Sequence, residues 1–145
     1  MPQGACRRKQ GPVPGHGFGL CFFGRSVYHK TMEPTGNEKA FLVYMTAPTL
    51  EEARMLAREL VRQRLAAGVN VLPGAESVYR WQGAVREAGE CLLLAQVSGA
   101  ALPAFIATAR SLHSYEVPCI VAMPMAAGHP PFLRWIAENS LPPTA

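Results

Sequence analysis

The chain contains no aspartate, and all ten acidic side chains among its 145 residues are glutamate. Carboxylate chemistry must therefore use glutamate, and a Ser-His-Asp triad is excluded, although a glutamate can replace its aspartate. The sequence also lacks a G-x-S-x-G elbow, a phosphate-binding P-loop and an H-E-x-x-H zinc motif. Together these absences favour a protein that is not an enzyme.

Cysteine is scarce, and its spacing excludes two common uses of the residue. The four cysteines are Cys6, Cys21, Cys91 and Cys119, and no CxxC pair occurs. Disulfide frameworks of small secreted proteins and tetrahedral zinc sites both need clustered cysteines. We therefore expect free thiols in a reducing compartment and a cytoplasmic protein.

Long apolar runs are also absent, since no segment reaches the ~18 consecutive apolar residues of a membrane-spanning helix. Basic charge is concentrated in residues 1–39, which carry six Lys or Arg against two Glu. Residues 40–145 carry eight Arg and eight Glu and are formally neutral. A neutral domain offers no basic surface to a nucleic acid. We expect neither a transmembrane segment nor a nucleic-acid partner.

Residues 1–38 differ in composition from the rest of the chain. They contain seven Gly and four Pro, and neither a helical nor a strand period survives this density of breakers. We interpret them as a disordered basic extension of a folded domain at 39–145. A mitochondrial import peptide would also be basic and poor in acid, so a mitochondrial location is an alternative, and Met32 is an alternative start.

The folded part opens with a strand and a helix. Phe41–Met45 is a short apolar run of strand formers. Thr49 and Glu52 predict a reciprocal capping box at the start of the helix. Apolar side chains then recur at helical spacing, and Gly68 is the predicted stop signal.

A hairpin follows the first helix. Gln82–Gly83 is the predicted turn, and the returning strand runs from about Glu90 to Val97. Pro73 indicates a sheet edge or a bulge, because proline cannot donate to a ladder. Alternation places Tyr79 and Trp81 on one strand face together with Ser77.

The remaining elements repeat the first pattern. Ser98 is the predicted cap of a second helix, which His113–Pro118 ends. Cys119–Met123 is predicted to be a fourth strand, and Phe132–Glu138 a short terminal helix. The order β-α-β-β-α-β plus a short C-terminal helix predicts an α+β, ferredoxin-like (split βαβ) sandwich with both helices on one sheet face.

The second face of this sheet needs a partner, since its aromatic and apolar residues are poorly suited to water. Homo-oligomerisation is the natural solution. We predict that Tyr79, Trp81 and Trp135 pack between subunits.

Several motifs in register now indicate a family. They are Phe41–Pro48, Arg64–Asn70, Ser77–Gly83, His113–Pro118 and Phe132–Trp135. Over residues 40–139 the chain resembles the CutA divalent-cation-tolerance family. The resemblance implies a ferredoxin-like trimer that is metal-responsive and not an enzyme, with copper or another divalent cation as its ligand.

The chain departs from the family pattern at a few positions. Gly68 stands where the family has a cysteine, Ser114 where it has a proline, and Gln96 where a lysine is common. Met45 stands where bacterial members often have a cysteine. Thiolate ligands are therefore depleted in this chain.

One metal site is predicted from the topology and the resemblance. The first strand and the second helix run in the same direction, so Met45 and His113 lie at the same end of the sheet, and Glu116 follows closely. Thioether and imidazole suit copper. Each residue also has a structural interpretation: Met45 as core, His113 bonding helix carbonyls, and Glu116 in an ion pair.

Three function classes remain open. The first is a non-enzymatic homotrimer that binds copper or another divalent cation and responds to metal ions. The second is a trimeric scaffold that anchors protein partners through its surface or residues 1–38. The third is a small-molecule sensor, which the missing Gly-rich phosphate loop disfavours.

Overall fold

The computed structural model describes residues 39–141, which contain four strands and three helices. The strands are β1 (Ala40–Ala47), β2 (Gly68–Trp81), β3 (Ala84–Ser98) and β4 (Ile120–Pro124), and the helices are α1 (Leu50–Arg62), α2 (Leu102–Leu112) and α3 (Pro130–Asn139). This order confirms the predicted ferredoxin-like fold with a C-terminal helix. The predicted extension at 1–38 lies outside the described residues.

The strands form one antiparallel sheet in the order β2-β3-β1-β4, so β4 lies beside β1 as predicted. Alternation in β1 directs Val43, Met45 and Ala47 toward α1 and α2, where all three are buried. Leu93 of β3 and Phe105 of α2 belong to the same core and are fully buried. Burial of each large apolar side chain contributes about 1.5–3 kcal/mol.

The start of α1 confirms half of the predicted capping box. The Thr49 hydroxyl accepts a hydrogen bond from the Glu52 amide at 3.1 Å, which identifies Thr49 as the N-cap. The Glu52 carboxylate does not return to Thr49. It accepts hydrogen bonds from the amide and the hydroxyl of Ser114, at 2.9 and 2.8 Å. The Glu52 carboxylate thus makes a tertiary contact with Ser114 in place of the local hydrogen bond to the Thr49 amide that a capping box requires.

The predicted end of α1 at Gly68 is wrong. The helix ends at Arg62, and the chain reverses at Arg64, whose φ is 59°. The amides of Leu65 and Ala66 both donate to the Leu60 carbonyl, which closes the last turn. Leu65 and Ala66 are 1% exposed, so burial of the segment after the helix sets its end.

The hairpin of β2 and β3 confirms that Pro73 lies on an edge strand and beside a bulge. Strand β2 is a sheet edge, and its register shifts between Pro73 and Ala75, which is a bulge. Gln82 and Gly83 have φ of 47° and 77°, the values of a type I′ turn. Strand β1 pairs with β3 only from Cys91 onward, so the tip of the hairpin extends beyond the four-stranded sheet.

The predicted cap of α2 requires a correction. Helix α2 begins at Leu102, and its N-cap is Ala101. Ser98 is the last residue of β3, although its hydroxyl accepts the Ala101 amide at 3.1 Å. The serine therefore supports the turn that precedes the helix.

The second sheet face is apolar and only partly covered. Among its apolar side chains, Leu42, Tyr44, Leu92 and Leu94 are half-buried, and Leu72, Val121 and Met123 are exposed. At one end α3 lies against this face: a Cβ at Gly68 would be 2.8 Å from the Gln96 Oε1 and 3.2 Å from the Trp135 ring. Within residues 39–141 no helix has the length and hydropathy needed to cross a membrane.

A buried serine joins α3 to the sheet. Ser140 is completely buried, and its hydroxyl accepts the Ser98 amide at 2.9 Å and donates to the Leu65 carbonyl at 3.1 Å. The Ser98 hydroxyl in turn donates to the Ser140 carbonyl. The three segments that meet here are therefore held by polar contacts within an apolar layer.

We expect Ser140→Ala to lower the free energy of unfolding by about 2 kcal/mol, because the Ser98 amide and the Leu65 carbonyl lose a buried partner. Urea denaturation of the full chain at matched protein concentration measures this. Ser111→Ala is the control, since the Ser111 hydroxyl is exposed and bonds only within α2. Its effect should stay within about 0.5 kcal/mol. Equal effects of the two variants would contradict the role of Ser140.

Candidate functional site

An open pocket of about 660 Å³ lies on the second sheet face, at the end where β1 finishes. Tyr44 and Thr46 of β1 form its floor, and the β2–β3 hairpin forms one wall. The loop between α2 and β4 forms the opposite wall. The pocket therefore lies where three separate segments of the chain meet.

The central polar group of this pocket is the Glu90 carboxylate. Glu90 is only 9% exposed. Ser77 donates a hydrogen bond to its Oε2 at 2.5 Å, and the Tyr115 hydroxyl donates to its Oε1 at 2.9 Å. Both donors are neutral, and no Lys or Arg is among the described residues that line the pocket. The negative charge of Glu90 thus has no cationic neighbour there.

The groups around Glu90 stay protonated. Burial, and then the hydrogen bond to Glu90, raise the pKa of Tyr115 to about 12. Burial, and then the charge of Glu90, also raise the pKa of the Cys119 thiol. Tyr115 therefore remains a hydrogen-bond donor at neutral pH, and Cys119 is a neutral thiol in the absence of a ligand.

His113 holds the loop that carries Tyr115. Its Nε2 lies 2.7 Å from the Thr46 carbonyl, and its Nδ1 accepts the Tyr115 amide at 3.1 Å. This pattern is that of the Nε2–H tautomer. The His113 and Tyr115 rings are 5.1 Å apart. The histidine therefore links the end of β1 to the pocket wall.

A second contact connects the same loop to α1. Both carboxylate oxygens of Glu52 accept hydrogen bonds from Ser114, and Glu52 Oε1 lies 3.5 Å from His113 Nδ1. The start of α1, the end of β1 and the pocket wall consequently form one connected polar network. A displacement of the loop would break contacts in all three.

The structure places the predicted metal ligands at different depths. Met45 is 1% exposed and lies in the core under the helices, whereas Glu116 is exposed and lines the pocket on the other face. His113 has both ring nitrogens in hydrogen bonds. In the part of the chain that is described, no three His, Cys, Asp or Glu side chains could together hold a metal ion. The set of three remains a prediction.

The predicted subunit contacts divide between two places. Tyr79 and Trp81 line the pocket and are 45% and 41% exposed. Trp135 lies on α3, where it stacks on Phe132 with ring centroids 5.3 Å apart. Their packing between subunits remains a prediction.

Sequence reasoning missed three residues of the pocket: Glu90, Tyr115 and Cys119. The sequence predicts that the returning strand begins at about Glu90, whereas β3 begins at Ala84 and Glu90 lies within it. The bulge after Pro73 places Glu90 opposite Ala75. The available signal was an acidic residue directly before the apolar run Cys91–Ala95. Cys119 is predicted to begin the fourth strand, but β4 begins at Ile120 and Cys119 lies in the preceding loop, where it lines the pocket.

A family model described as CutA1 divalent ion tolerance protein matches residues 41–139. The divalent-cation tolerance protein CutA of Thermus thermophilus is 46% identical over 99 residues, which are 68% of this chain and 96% of that protein. Protein CutA of Mus musculus is 38% identical over 95 residues, 66% of this chain and 54% of the mouse protein. The chain thus spans nearly all of the bacterial relative and about half of the mouse one.

Solved structures agree with this similarity. The Thermus thermophilus divalent cation tolerance protein superposes with a TM-score of 0.68, covering 70% of this chain and 98% of that chain. The CutA1 structure from Oryza sativa, 35% identical, gives a TM-score of 0.69 and covers 73% of this chain and 96% of that chain. From sequence and fold together, the chain belongs to the CutA1 divalent ion tolerance family.

Proposed function

We propose that this chain acts as a homotrimer that binds divalent cations, copper among them, in the pocket around Glu90. The observation that carries the proposal is a nearly buried carboxylate whose hydrogen-bond donors, among residues 39–141, are two neutral hydroxyls. A carboxylate without a cationic neighbour attracts a cation more strongly where water is partly excluded. Glu76 and Glu116 line the same pocket and add to its negative charge.

The available donors suit an open site. Carboxylate oxygens bind hard divalent cations, and a thiol such as Cys119 favours softer ions such as copper or zinc. Since no three of these side chains close around one point, water or a second subunit would complete the coordination. Bound metal would also deprotonate Cys119, whose pKa is otherwise raised.

The trimer is supported by the second sheet face. Its apolar side chains and the exposed hairpin residues Val78 and Val85, 67% and 62% exposed, leave a large apolar surface in one protomer. Such surfaces mark protein contacts. The family resemblance implies three copies.

Further parts of the proposal concern activity and location. The Thermus thermophilus relative is named a divalent-cation tolerance protein and the mouse relative Protein CutA. Neither name states a catalytic activity, which supports a non-enzymatic role. Relatives include one named as chloroplastic in Arabidopsis thaliana, so the family occurs in more than one compartment. We retain a cytoplasmic location because Cys91 and Cys119 are free thiols.

A trimeric scaffold is the second candidate. Three observations that count against metal binding favour the scaffold. Met45 is in the core, and both ring nitrogens of His113 are in hydrogen bonds. Among residues 39–141 no three His, Cys, Asp or Glu side chains could together hold a metal ion. A protein that kept the fold with little metal affinity would still present three copies of one surface to partners.

We expect Glu90→Gln to weaken Cu²⁺ and Zn²⁺ binding by the full chain about tenfold, which corresponds to roughly 1.4 kcal/mol of lost attraction. Titration against a competing chelator measures the dissociation constants. Glu138→Gln removes an equal charge from an exposed position on α3 and should leave them unchanged.

Met45→Leu in the same titration distinguishes a metal site in the Glu90 pocket from the site of His113, Met45 and Glu116 that the sequence predicts. We expect no change, because Met45 is 1% exposed in the core. Loss of copper binding in this variant would favour the set of His113, Met45 and Glu116 instead. No binding by the unaltered trimer would leave the scaffold as the working hypothesis.

We expect the double variant Val121→Glu, Met123→Glu to be a folded monomer, and the unaltered chain to be a trimer by light scattering. Both side chains are about half exposed in the protomer, so charges there cost little folding energy but would be buried between subunits. Ile106→Glu, equally exposed on α2, is the control and should remain trimeric. A double variant that keeps the mass of the unaltered protein would contradict this interface.

A further inference from the structure

The pocket around Glu90 is much larger than a metal ion. Its volume of about 660 Å³ lies within the range of about 300–1,000 Å³ that is typical of small-molecule sites. A single hydrated ion at Glu90 would leave most of this space unfilled. Other side chains line the remaining space, and a divalent cation bound at Glu90 would not contact them.

Aromatic side chains form much of the wall. Tyr79 and Trp81 come from one face of β2, Tyr44 from β1 and Tyr115 from the loop after α2. In the protomer Tyr79 and Trp81 are 45% and 41% exposed, and both line the pocket. The faces of tyrosine and tryptophan rings carry partial negative charge and attract organic cations.

The charges of the pocket have one sign. Glu76, Glu90 and Glu116 line it, and no Lys or Arg is among its described lining residues. Arg86 lies opposite Tyr79 in the hairpin register but does not line the pocket. Arg80, between Tyr79 and Trp81 in β2, is likewise not among the described lining residues. The charged side chains that line the pocket are therefore all acidic, which favours a cation over an anion.

We propose that this pocket binds a small organic ammonium ion, with the charged nitrogen near Glu90 and its alkyl groups against Trp81 and Tyr79. The aromatic rings provide contact area that a metal ion cannot use, and the carboxylates provide the selection for positive charge. This inference shares the pocket of the proposed function but does not depend on metal binding. It also gives the exposed rings a role besides packing between subunits.

Choline and its neutral isostere 3,3-dimethyl-1-butanol test the inference on the full-length protein in the presence of EDTA, which removes divalent ions. The chain has two tryptophans, so the indole N–H signals of Trp81 and Trp135 report on the pocket and on α3 separately. Trp135→Phe assigns the two signals. We expect choline to shift the Trp81 signal to saturation and to leave Trp135 in place, with the isostere binding at least about tenfold more weakly.

Two variants test the carboxylates. Glu90→Gln should weaken choline binding about tenfold, and Glu116→Gln, at an exposed position that folding does not need, should weaken it by a smaller factor. Glu138→Gln, outside the pocket, should have no effect. An unshifted Trp81 signal, or equal binding of the neutral isostere, would overturn the inference. Either result would leave the metal titration untouched, so the two proposals can fail independently.

Discussion

A four-stranded sheet has two faces, and the two helices of the repeated β-α-β unit can cover only one of them. In this protein α1 and α2 bury Val43, Met45 and Leu93, while Tyr44 and Leu94 remain half-buried on the other side. The uncovered face is apolar because β1 and the Cys91–Ala95 part of β3, which lie at the centre of the sheet, are almost entirely apolar. Oligomerisation and a ligand pocket are two ways to use that face.

The fold was predictable because its signals are local and repeated. The strand at Phe41–Met45 and the turn at Gln82–Gly83 follow from residue type alone. Pro73 indicated an edge or a bulge, and the structure has both there. The ends of helices and strands were less predictable, because tertiary contacts determine some of them. Helix α1 ends at Arg62 because Leu65 and Ala66 are buried beyond it, which no local pattern in the helix shows.

The pocket was harder to predict because its residues come from distant segments. Ser77 and Glu90 meet only after the bulge resets the strand register, and Tyr115 reaches them from a loop that His113 holds against Thr46. The sequence showed Tyr79 and Trp81 on one face, but it could not show which acidic residue lies beside them. A one-residue shift in register would have directed that side chain to the opposite face.

The departures from the family pattern have structural counterparts within the chain. The Ser114 amide donates to Glu52, a hydrogen bond that a proline at this position could not make. At Gly68 a side chain would meet both Gln96 and the Trp135 ring, and Gln96 instead donates to Asn70 at 2.9 Å. A cysteine at position 68 would therefore require α3 or Gln96 to move. The absence of a side chain at position 68 thus allows α3 to pack on this end of the sheet, while Glu90 and the Cys119 thiol both line the pocket at the other end.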